Sequence, residues 1–232
     1  MAATIEVNKQ SVKSLLSSGI EHPFIIPEYQ RPYAWSFDQV DTLFNDLWEF
    51  TLYRGGSRRS ATYFLGCIVS FENSAGEQEI IDGQQRLPSF FLLLRAIYTK
   101  LKKGAQSKES ENFIKHIQEC IWRANKLTGE VDFDDSLLTS RVISNAGNEV
   151  LRSILKTGVA DRHAEDNYSR NYLRFSDLID EAANNSPLLV YDFIYALLNQ
   201  AILMPITADT RDTALTIFST LNDRGLPLSV AD

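Results

Sequence analysis

The chain has 232 residues and a formal net charge of −7, so its overall field repels nucleic acid, and any contact with nucleic acid needs a local basic patch. Its hydrophobic share of 44% is ordinary for a soluble globular protein, and no apolar run has the length of a membrane helix or the pattern of a signal peptide. Cys67 and Cys120 lack metal-site spacing and are predicted to be buried free thiols. We therefore expect a cytoplasmic protein that does not contact the membrane.

An extended loop is predicted from Ile20 to Pro32, because its three prolines disfavour a helix. This loop and the residues just after it are rich in side chains that recognise ligands: Tyr29, Gln30, Arg31, Tyr33 and Trp35. Arg31 can bind phosphate or carboxylate, and the aromatic rings can either stack on a base or pack in the core. The residues alone leave both interpretations open.

A helix is predicted to follow Ser36, which forms a capping-box pattern with Gln39. An apolar stripe at helical spacing predicts its core face: Phe37, Val40, Leu43, Phe44, Leu47 and Trp48. The next segment, Tyr53 to Ser60, is a glycine-containing loop with three arginines. It is either a contact for a phosphate backbone or an ordinary solvated loop.

Two strands, Tyr63 to Phe71 and Gln78 to Ile81, are predicted to form a hairpin that leads into the pentad Asp82 to Arg86 and then a helix, Ser89 to Lys103. A strand that enters a helix through a glycine turn can present backbone N–H groups to an anion. Within the pentad, Gly83 permits an unusual backbone conformation and close approach of a ligand. Arg86, expected to be partly exposed, offers donors to a phosphate, and Asp82 can hold a metal-bound water or orient a nucleophile. The alternative is a tight turn with only a structural role.

The second half is predicted to be mostly helical, with a flexible connection between Leu127 and Asn148 and no histidines at metal-ligand spacing. A strand, Ala201 to Ile206, precedes a last helix capped by Asp209 or Thr210. Polar residues then cluster at the end of that helix: Asn222, Asp223 and Arg224, with Gly225 as its C-cap. We divide the chain into a motif-bearing α/β part (1–103), a helical insertion (104–199) and a returning strand and helix (200–232).

Three blocks occur in order along the chain: PEYQRPYAW (Pro27 to Trp35), DGQQR (Asp82 to Arg86) and FSTLNDRGLPLS (Phe218 to Ser229). Together they resemble the N-terminal GmrS-type domain of modification-dependent restriction systems. The resemblance implies an α/β fold with a small mixed sheet, similar to ParB and sulfiredoxin, and a large helical portion. The family usually continues DGQQRL with two threonines, whereas Pro88 and Ser89 stand here. Pro88 is tolerated in a first helical turn but removes one N–H that would otherwise be open to a phosphate.

The resemblance further implies an NTP-binding and NTP-hydrolysing sensor of a bacterial anti-phage restriction system that recognises modified DNA, with Mg²⁺ as cofactor. The implied catalytic residues are Asp82, Gln85 and Arg86, with Asp82 also the candidate metal ligand. The implied nucleotide-binding residues are Arg31, Gly83, Gln84, Gln85, Arg86, Asn222 and Arg224. The implied DNA-sensing residues are Tyr29, Gln30, Arg31, Tyr33 and Trp35.

Several expectations follow for partners and mechanism. Arg31, Arg86 and Arg224 should point into one shared pocket, because no single segment carries enough polar groups for a triphosphate. Nothing after Ser229 encodes an HNH nuclease, so we expect one in a downstream or separate domain, and the oligomeric state is left open between a monomer and a homodimer. A P-loop enzyme is excluded, because the sequence has no Walker A motif. Two alternatives stay open: a DNA-binding or regulatory module that does not hydrolyse nucleotide, and a ParB-like nuclease.

Overall fold

The computed structural model of the chain describes residues 6–53, 61–105, 107–125, 127–142 and 145–223. In this part of the chain a mixed sheet packs between helices, so the predicted α/β class with a large helical portion is confirmed. The strands are β1 (Glu6–Val7), β2 (Gln10–Ser11), β3 (Phe24–Ile26), β4 (Tyr63–Glu72), β5 (Gln78–Asp82), β6 (Trp122–Ala124), β7 (Val131–Ser136), β8 (Leu138–Ser140) and β9 (Ala201–Ala208). The helices are α1 (Val12–Ser18), α2 (Phe37–Tyr53), α3 (Arg86–Lys103), α4 (Lys108–Ile121), α5 (Asn145–Thr157), α6 (Asn167–Asn185), α7 (Val190–Asn199, after a 3₁₀ turn at Pro187–Leu189) and α8 (Arg211–Asp223).

The main sheet has the strand order β1-β9-β4-β5-β3-β8, and β2 pairs with β9 along the same edge as β1. β4 is antiparallel to β5 and parallel to β9, while β3 is parallel to both β5 and β8. The strands β6 and β7 form a separate two-stranded sheet. This order places the β4–β5 hairpin at the centre of the main sheet, and the pentad follows directly from its second strand.

The turn of the β4–β5 hairpin is specified locally by one side chain and one glycine. The Asn73 carboxamide oxygen accepts hydrogen bonds from the backbone N–H groups of Ala75 (2.9 Å) and Glu77 (3.1 Å). Gly76 has φ of +77°, a conformation that favours glycine. The predicted hairpin is therefore confirmed, and it delivers Asp82 to the end of β5, opposite Val69.

The central strands are buried on both faces and separate two apolar clusters. Because side chains alternate along a strand, Ile68 and Ile80 face the larger core, which includes residues of α1, α2, α3, α6 and α7. Val69 and Ile81 face a smaller cluster that α8 covers through Ala214 and other side chains. The pentad lies where β5 leaves this sandwiched sheet, so its residues are held from both sides.

The helix after the pentad begins at Arg86, three residues before the predicted start at Ser89. Its whole first half is buried, and Pro88 lies in the first turn, where its missing N–H has no intrahelical partner. The Leu87 N–H donates to the carbonyl of Gly83 at 2.9 Å, which closes the strand-to-helix turn. The last two residues of the pentad are therefore fixed by the helix as well as by the strand.

Three further expectations can be compared with the fold. The interval Leu127 to Asn148 is not simply a flexible connection, because it contains β7 and also β8, which pairs with β3. Phe37 is 39% exposed instead of buried, and the guanidinium of Arg170 lies 4.9 Å from its ring centre. The arginine-rich loop lies outside the described residues from position 54 to 60. The division at residues 103 and 199 stays a prediction, although β8 adds a strand from the middle segment to the sheet of the first.

Candidate functional site

The turn between β5 and α3 has a backbone that requires glycine. Gly83 has φ of +97°, which a residue with a side chain rarely adopts, and a Cβ atom there would overlap Cδ1 of Ile68. Asp82, just before it, is 4% exposed at the end of β5. Asp82 thus lies at a buried strand end, next to a position, Gly83, where any other residue type would be strained.

Gln85 connects the pentad to the proline-rich loop. Its Oε1 atom accepts a hydrogen bond from the Ala34 N–H at 2.6 Å, and its Nε2 atom donates to the Pro32 carbonyl at 3.1 Å. The side chain is 1% exposed. Both ends of the amide are therefore used to fix the backbone of the loop, and the direct catalytic role predicted for Gln85 stays a prediction.

A second amide connects the same two segments in the opposite direction. Gln30, in the loop, donates from Nε2 to the carbonyl of Ile81 at 3.1 Å and, at 3.4 Å, to that of Ile80. Next to it, the Tyr29 hydroxyl donates to Glu79 Oε1 at 2.8 Å, and Arg211 of α8 lies 4.2 Å from the ring centre. Burial, reinforced by the bond to Glu79, raises the pKa of Tyr29 to about 12. The loop thus follows β5 to its end and meets the pentad there.

The other two aromatic residues of the loop lie in the core. Tyr33 is 7% exposed and stacks on Tyr168 with ring centres 4.5 Å apart, and its hydroxyl is within 2.7 Å of Ser89 Oγ. Trp35 is 4% exposed, and Asn171 donates to its carbonyl at 2.8 Å. Because both rings are buried, they are not exposed to stack on a base, in contrast to the DNA-sensing role expected for them. They anchor the loop between α3 and α6 instead.

Arg86 is buried, and the expectation that it is partly exposed was wrong. It is 2% exposed, and Nη1 donates to the Cys67 carbonyl of β4 at 2.7 Å. Gly66 has φ of +99°, and a Cβ atom there would lie 2.9 Å from Nη1 of Arg86, so the strand approaches the guanidinium closely. Burial raises the pKa of the Cys67 thiol; the Arg86 charge acts against this rise and the Asp82 charge adds to it. Arg86 therefore helps to hold β4 against the start of α3.

Two polar side chains at this end of β5 are open to solvent. Arg31 is exposed and makes no hydrogen bond or ion pair with any other residue that the structure describes, and Gln84 is partly exposed. Within the same part of the chain, no backbone carbonyl accepts from the N–H of Gln84 or Gln85. These N–H groups precede a helix of 18 residues, whose N-terminal end carries a partial positive charge.

The third sequence block is described only in part. Thr210 Oγ1 caps α8 by accepting from the Thr213 N–H at 3.2 Å, and the helix then packs back over β4, β5 and β9. Leu221, near its end, packs against the cluster that contains Cys67. Asn222 is exposed in the last turn, and Arg224 lies outside the described residues. The structure thus brings the first two blocks into contact. Because Arg86 is buried, it does not share an open pocket with the exposed Arg31, and the part of this expectation that concerns Arg224 stays a prediction.

The contact between the loop and the pentad places two of the three blocks at one site. In a scan against protein families, the profile of the GmrSD restriction endonuclease, N-terminal domain, matches residues 12–232. The chain belongs to this family. It is therefore part of a restriction system. A comparison with curated proteins finds no match. The likeness of this GmrSD domain to ParB and sulfiredoxin stays a prediction.

Metal ligation in this GmrSD domain was expected at Asp82. Within the described ranges, no group of three or more His, Cys, Asp or Glu side chains is placed to hold a metal ion. A lone carboxylate still suits Mg²⁺, which is commonly bound by one or two carboxylates together with substrate phosphates and water. Asp82 as a metal ligand remains a prediction. In the same part of the chain, no helix has the length and apolar character needed to cross a membrane.

Sequence reasoning missed two residues of this GmrSD domain that contact the loop and the pentad from the core. Asn171 of α6 donates from Nδ2 both to the Tyr33 hydroxyl at 3.0 Å and to the Trp35 carbonyl. Ser89, which stands at one of the positions where the chain departs from the family pattern, donates to the Gln85 carbonyl at 3.0 Å. An asparagine inside a helix gives no signal of this kind in the sequence. The departure at Ser89 was a visible signal, and its hydroxyl contacts the pentad.

Proposed function

We propose that this domain binds and hydrolyses a nucleoside triphosphate, and that turnover serves the restriction system as a sensor of modified DNA. The observation that carries the proposal is a pair of amide contacts: Gln30 of the loop donates to the Ile81 carbonyl at the end of β5, and Gln85 of the pentad binds the loop backbone. Two segments about 50 residues apart are thereby held with defined backbones at one end of β5. Such rigid support is what a site needs to position phosphates.

The phosphates are assigned to the turn that starts α3. The N–H groups of Gln84 and Gln85, which donate to no described backbone carbonyl, and the positive end of the helix attract an anion, and Gly83 lets it approach closely. Arg31, exposed and without a partner in the described chain, supplies a positive charge at the surface. Arg86, which begins α3 and is buried, adds its positive charge to this end of the helix.

Hydrolysis is assigned to Asp82. Phosphoryl transfer needs mainly positioning and charge stabilisation, and one carboxylate can hold an Mg²⁺ ion that arrives with the nucleotide or orient the attacking water. Gln85 acts in this proposal as a positioning residue, because both ends of its amide hold the loop. No group of three or more His, Cys, Asp or Glu side chains is placed to hold metal ions in the described chain, which favours NTP hydrolysis over a two-metal nuclease.

The DNA-sensing role is assigned to the exposed part of the loop. Tyr29 is 43% exposed and Arg31 is exposed, so they can meet a strand, whereas Tyr33 and Trp35 fix the loop from the core. The family is described as a restriction endonuclease of which this chain matches the N-terminal domain. Cleavage is therefore assigned to an HNH nuclease domain elsewhere in the system.

The deciding experiment measures phosphate release from ATP, GTP, CTP and UTP with Mg²⁺, with and without modified DNA. Asp82→Asn is expected to lower turnover by about 100-fold or more while it keeps nucleotide affinity, because an interaction made mainly in the transition state is lost. Glu111→Gln, on the exposed side of α4, removes one carboxylate far from the site and serves as the control. Nucleotide binding without turnover in the wild type would instead favour the regulatory module.

A further inference from the structure

A groove runs along helix α6 and consists of two adjoining cavities of about 520 Å³ and 460 Å³. Arg162, Leu173 and Asp177 line both cavities, so the two are continuous. The larger cavity is walled on one side by Phe37 at the start of α2, and the smaller one by Lys103 at the end of α3. Each volume lies within the range of about 300–1,000 Å³ that is typical of ligand sites.

The groove is positively charged, although the chain as a whole is acidic. Its wall carries five cationic and three acidic side chains, a local charge of +2 in a chain with a net charge of −7. The cationic residues are Lys100, Lys103, Arg162, Arg170 and Arg174, and the acidic ones are Asp41, Asp177 and Asp180. A cavity between β8 and α5 has the opposite character, with three carboxylates and one guanidinium. The groove is thus the kind of local basic patch that contact with nucleic acid requires in a chain of this charge.

Two of the five cations are neutralised within the groove. Arg174 donates to both carboxylate oxygens of Asp41, at 2.6 Å and 2.8 Å. Lys100 is paired with Asp180. The three that are exposed and form no ion pair with a carboxylate of the described chain are Lys103, Arg162 and Arg170. Their charge is therefore available to an anionic ligand.

Three further carboxylates precede α6 and are close to Arg162 in the sequence, but they do not line the groove. Asp161 accepts a hydrogen bond from the His163 N–H at 2.9 Å, and Asp166 caps α6 by accepting from the Ser169 N–H at 2.8 Å. Glu165 is exposed. These residues do not add negative charge to the wall of the groove.

The available cations are spread along the groove. Lys103 lines one cavity, Arg170 lines the other, and Arg162 lines both. Arg170 and Asp177 alone are separated by seven residues of α6, which is about 10 Å along the helix. A single phosphate cannot contact all three cations, whereas the successive phosphates of a nucleic-acid strand can.

The groove begins next to the proline-rich loop. The guanidinium of Arg170 lies 4.9 Å from the ring centre of Phe37, a cation–π contact that leaves its N–H donors open. Three residues earlier in α6, Asn167 donates to the Tyr33 carbonyl of the loop at 3.2 Å. Arg31 precedes Tyr33 by two residues, a span of at most about 7 Å of backbone. The groove therefore adjoins the surface to which the DNA-sensing role is assigned.

We propose that this groove binds the phosphate backbone of the DNA that the domain recognises. The inference rests on the DNA-sensing part of the proposed function and not on NTP hydrolysis. The family is that of a restriction endonuclease, so DNA is the polyanion that such a groove meets. Phosphate contacts hold and orient a strand without reading its sequence. The groove thus holds the strand, while the exposed part of the loop carries the discrimination between modified and unmodified DNA.

The test measures the Kd for labelled DNA by fluorescence anisotropy at several salt concentrations, without nucleotide. The double variant Arg162→Ala, Arg170→Ala is expected to weaken binding about tenfold or more. The slope of log Kd against log salt should fall by about 1.8 with duplex and about 1.4 with single-stranded DNA, because two phosphate contacts are lost. The control, Lys115→Ala with Arg152→Ala, removes two exposed cations outside the groove and should leave the slope unchanged.

Modified and unmodified DNA separate the groove from the loop. The double arginine variant is expected to weaken both to the same extent, because phosphate contacts carry no information about the base. Tyr29→Ala, in the loop, should instead change the ratio of the two affinities. A double arginine variant that changes this ratio and keeps the wild-type salt slope would overturn the proposal.

The remaining outcomes are equally decisive. Circular dichroism checks folding, and if the double arginine variant does not fold, Lys103→Ala decides, since this exposed residue at the end of α3 should lower the slope by about 1. Equal weakening by the groove variant and the control would overturn the groove and leave the DNA-sensing role of the loop intact. A wild type that binds no DNA would overturn both, and phosphate release from NTP, measured separately, then shows whether hydrolysis stands.

Discussion

Gln84 and Gln85 are adjacent and chemically identical, yet the fold uses them differently. Gln85 is buried and binds the backbone of the loop at Pro32 and Ala34, whereas Gln84 is partly exposed and makes no side-chain bond to the described chain. The motif therefore combines a residue that builds the site with one that faces its opening. The two residues are therefore expected to contribute differently to the free energy of unfolding.

Gln85→Ala is expected to lower the free energy of unfolding by about 1–3 kcal/mol, because it removes two partly buried hydrogen bonds, one from the Ala34 N–H and one to the Pro32 carbonyl. Gln84→Ala, the matched control, is expected to change it by less than about 0.5 kcal/mol. Urea denaturation followed by circular dichroism measures both. Equal effects of the two substitutions would show that Gln85 does not have the supporting role assigned to it.

Gly83 permits a second prediction at the scale of one residue. Gly83→Ala is expected to destabilise the fold by more than about 2 kcal/mol, because a backbone with positive φ and an overlap with Ile68 Cδ1 act together. Gly129→Ala has a similar backbone, with φ of +71°, but open space around it, and should cost only about 1 kcal/mol.

The same overlap can be relieved. Ile68→Val removes only the Cδ1 atom, with which the new Cβ of Gly83→Ala would overlap. The double variant is therefore expected to lose clearly less stability than the sum of the losses in the two single variants. Thermal unfolding of the four proteins in this cycle measures the interaction. Strict additivity would mean that the backbone conformation alone, and not the contact with β4, requires the glycine.

At the scale of elements, one surface ion pair joins the central hairpin to the edge of the sheet. Glu77, before β5, accepts two bonds from Arg141, which follows β8, at 2.7 Å and 3.0 Å. The pair spans β3, which lies between β5 and β8. Hydrogen bonds from Arg141 and from Asn73 hold the pKa of Glu77 below its usual value of 4.5. The carboxylate is thus stabilised in its charged form by the fold.

A carboxyl group whose pKa is lower in the folded than in the unfolded state stabilises the fold at any pH above its unfolded-state pKa. This stabilisation is lost as the pH falls through its folded-state pKa. Glu77→Gln is therefore expected to cost about 0.5–1 kcal/mol at pH 7, a small effect because half of the Arg141 side chain is exposed. The difference from wild type should shrink below pH 4.5. Urea denaturation at pH 7 and pH 3.5 measures it, and a difference that grows in acid would contradict the assignment.

At the scale of the whole molecule, the central hairpin and the last strand could be predicted because local patterns specify them. Asn73 and Gly76 define the turn, and the apolar runs on either side of it define β4 and β5. β8 could not be predicted in this way. It has three residues, and its pairing with β3 depends on a contact about 114 positions away in the chain, which no local pattern encodes.

The candidate site shows the same limit. The motifs identified Asp82, Gly83 and the loop correctly as neighbours, because a resemblance carries spatial information that periodicity lacks. The burial of Arg86 was not predictable, since a charged residue in a polar pentad is expected at the surface. It is buried because α3 begins at Arg86 itself and turns the side chain toward the carbonyl of β4. The helix begins three residues earlier than predicted, and Arg86 is therefore buried instead of exposed.

The last prediction concerns nucleotide binding by the folded molecule as a whole. A ligand that binds only the native state stabilises it by about 2.7 kcal/mol at 100 times its Kd, which raises the Tm of a chain of this size by about 5–10 °C. Wild-type protein is expected to show this rise with Mg²⁺ and its preferred NTP. Arg31→Ala should fold normally, because the side chain is exposed and binds no described residue, but it should need about 10- to 100-fold more nucleotide for the same rise.

Arg152→Ala is the matched control, since this arginine is also exposed but lies on α5. Its titration should coincide with that of the wild type if the effect at Arg31 comes from its place beside the pentad and not from net charge. If Arg31→Ala and Arg152→Ala shift the titration equally, the attraction is a general effect of charge on an acidic protein. If neither shifts it, the phosphates bind away from the loop, and the hydrogen bonds between Gln85 and the loop serve only the fold.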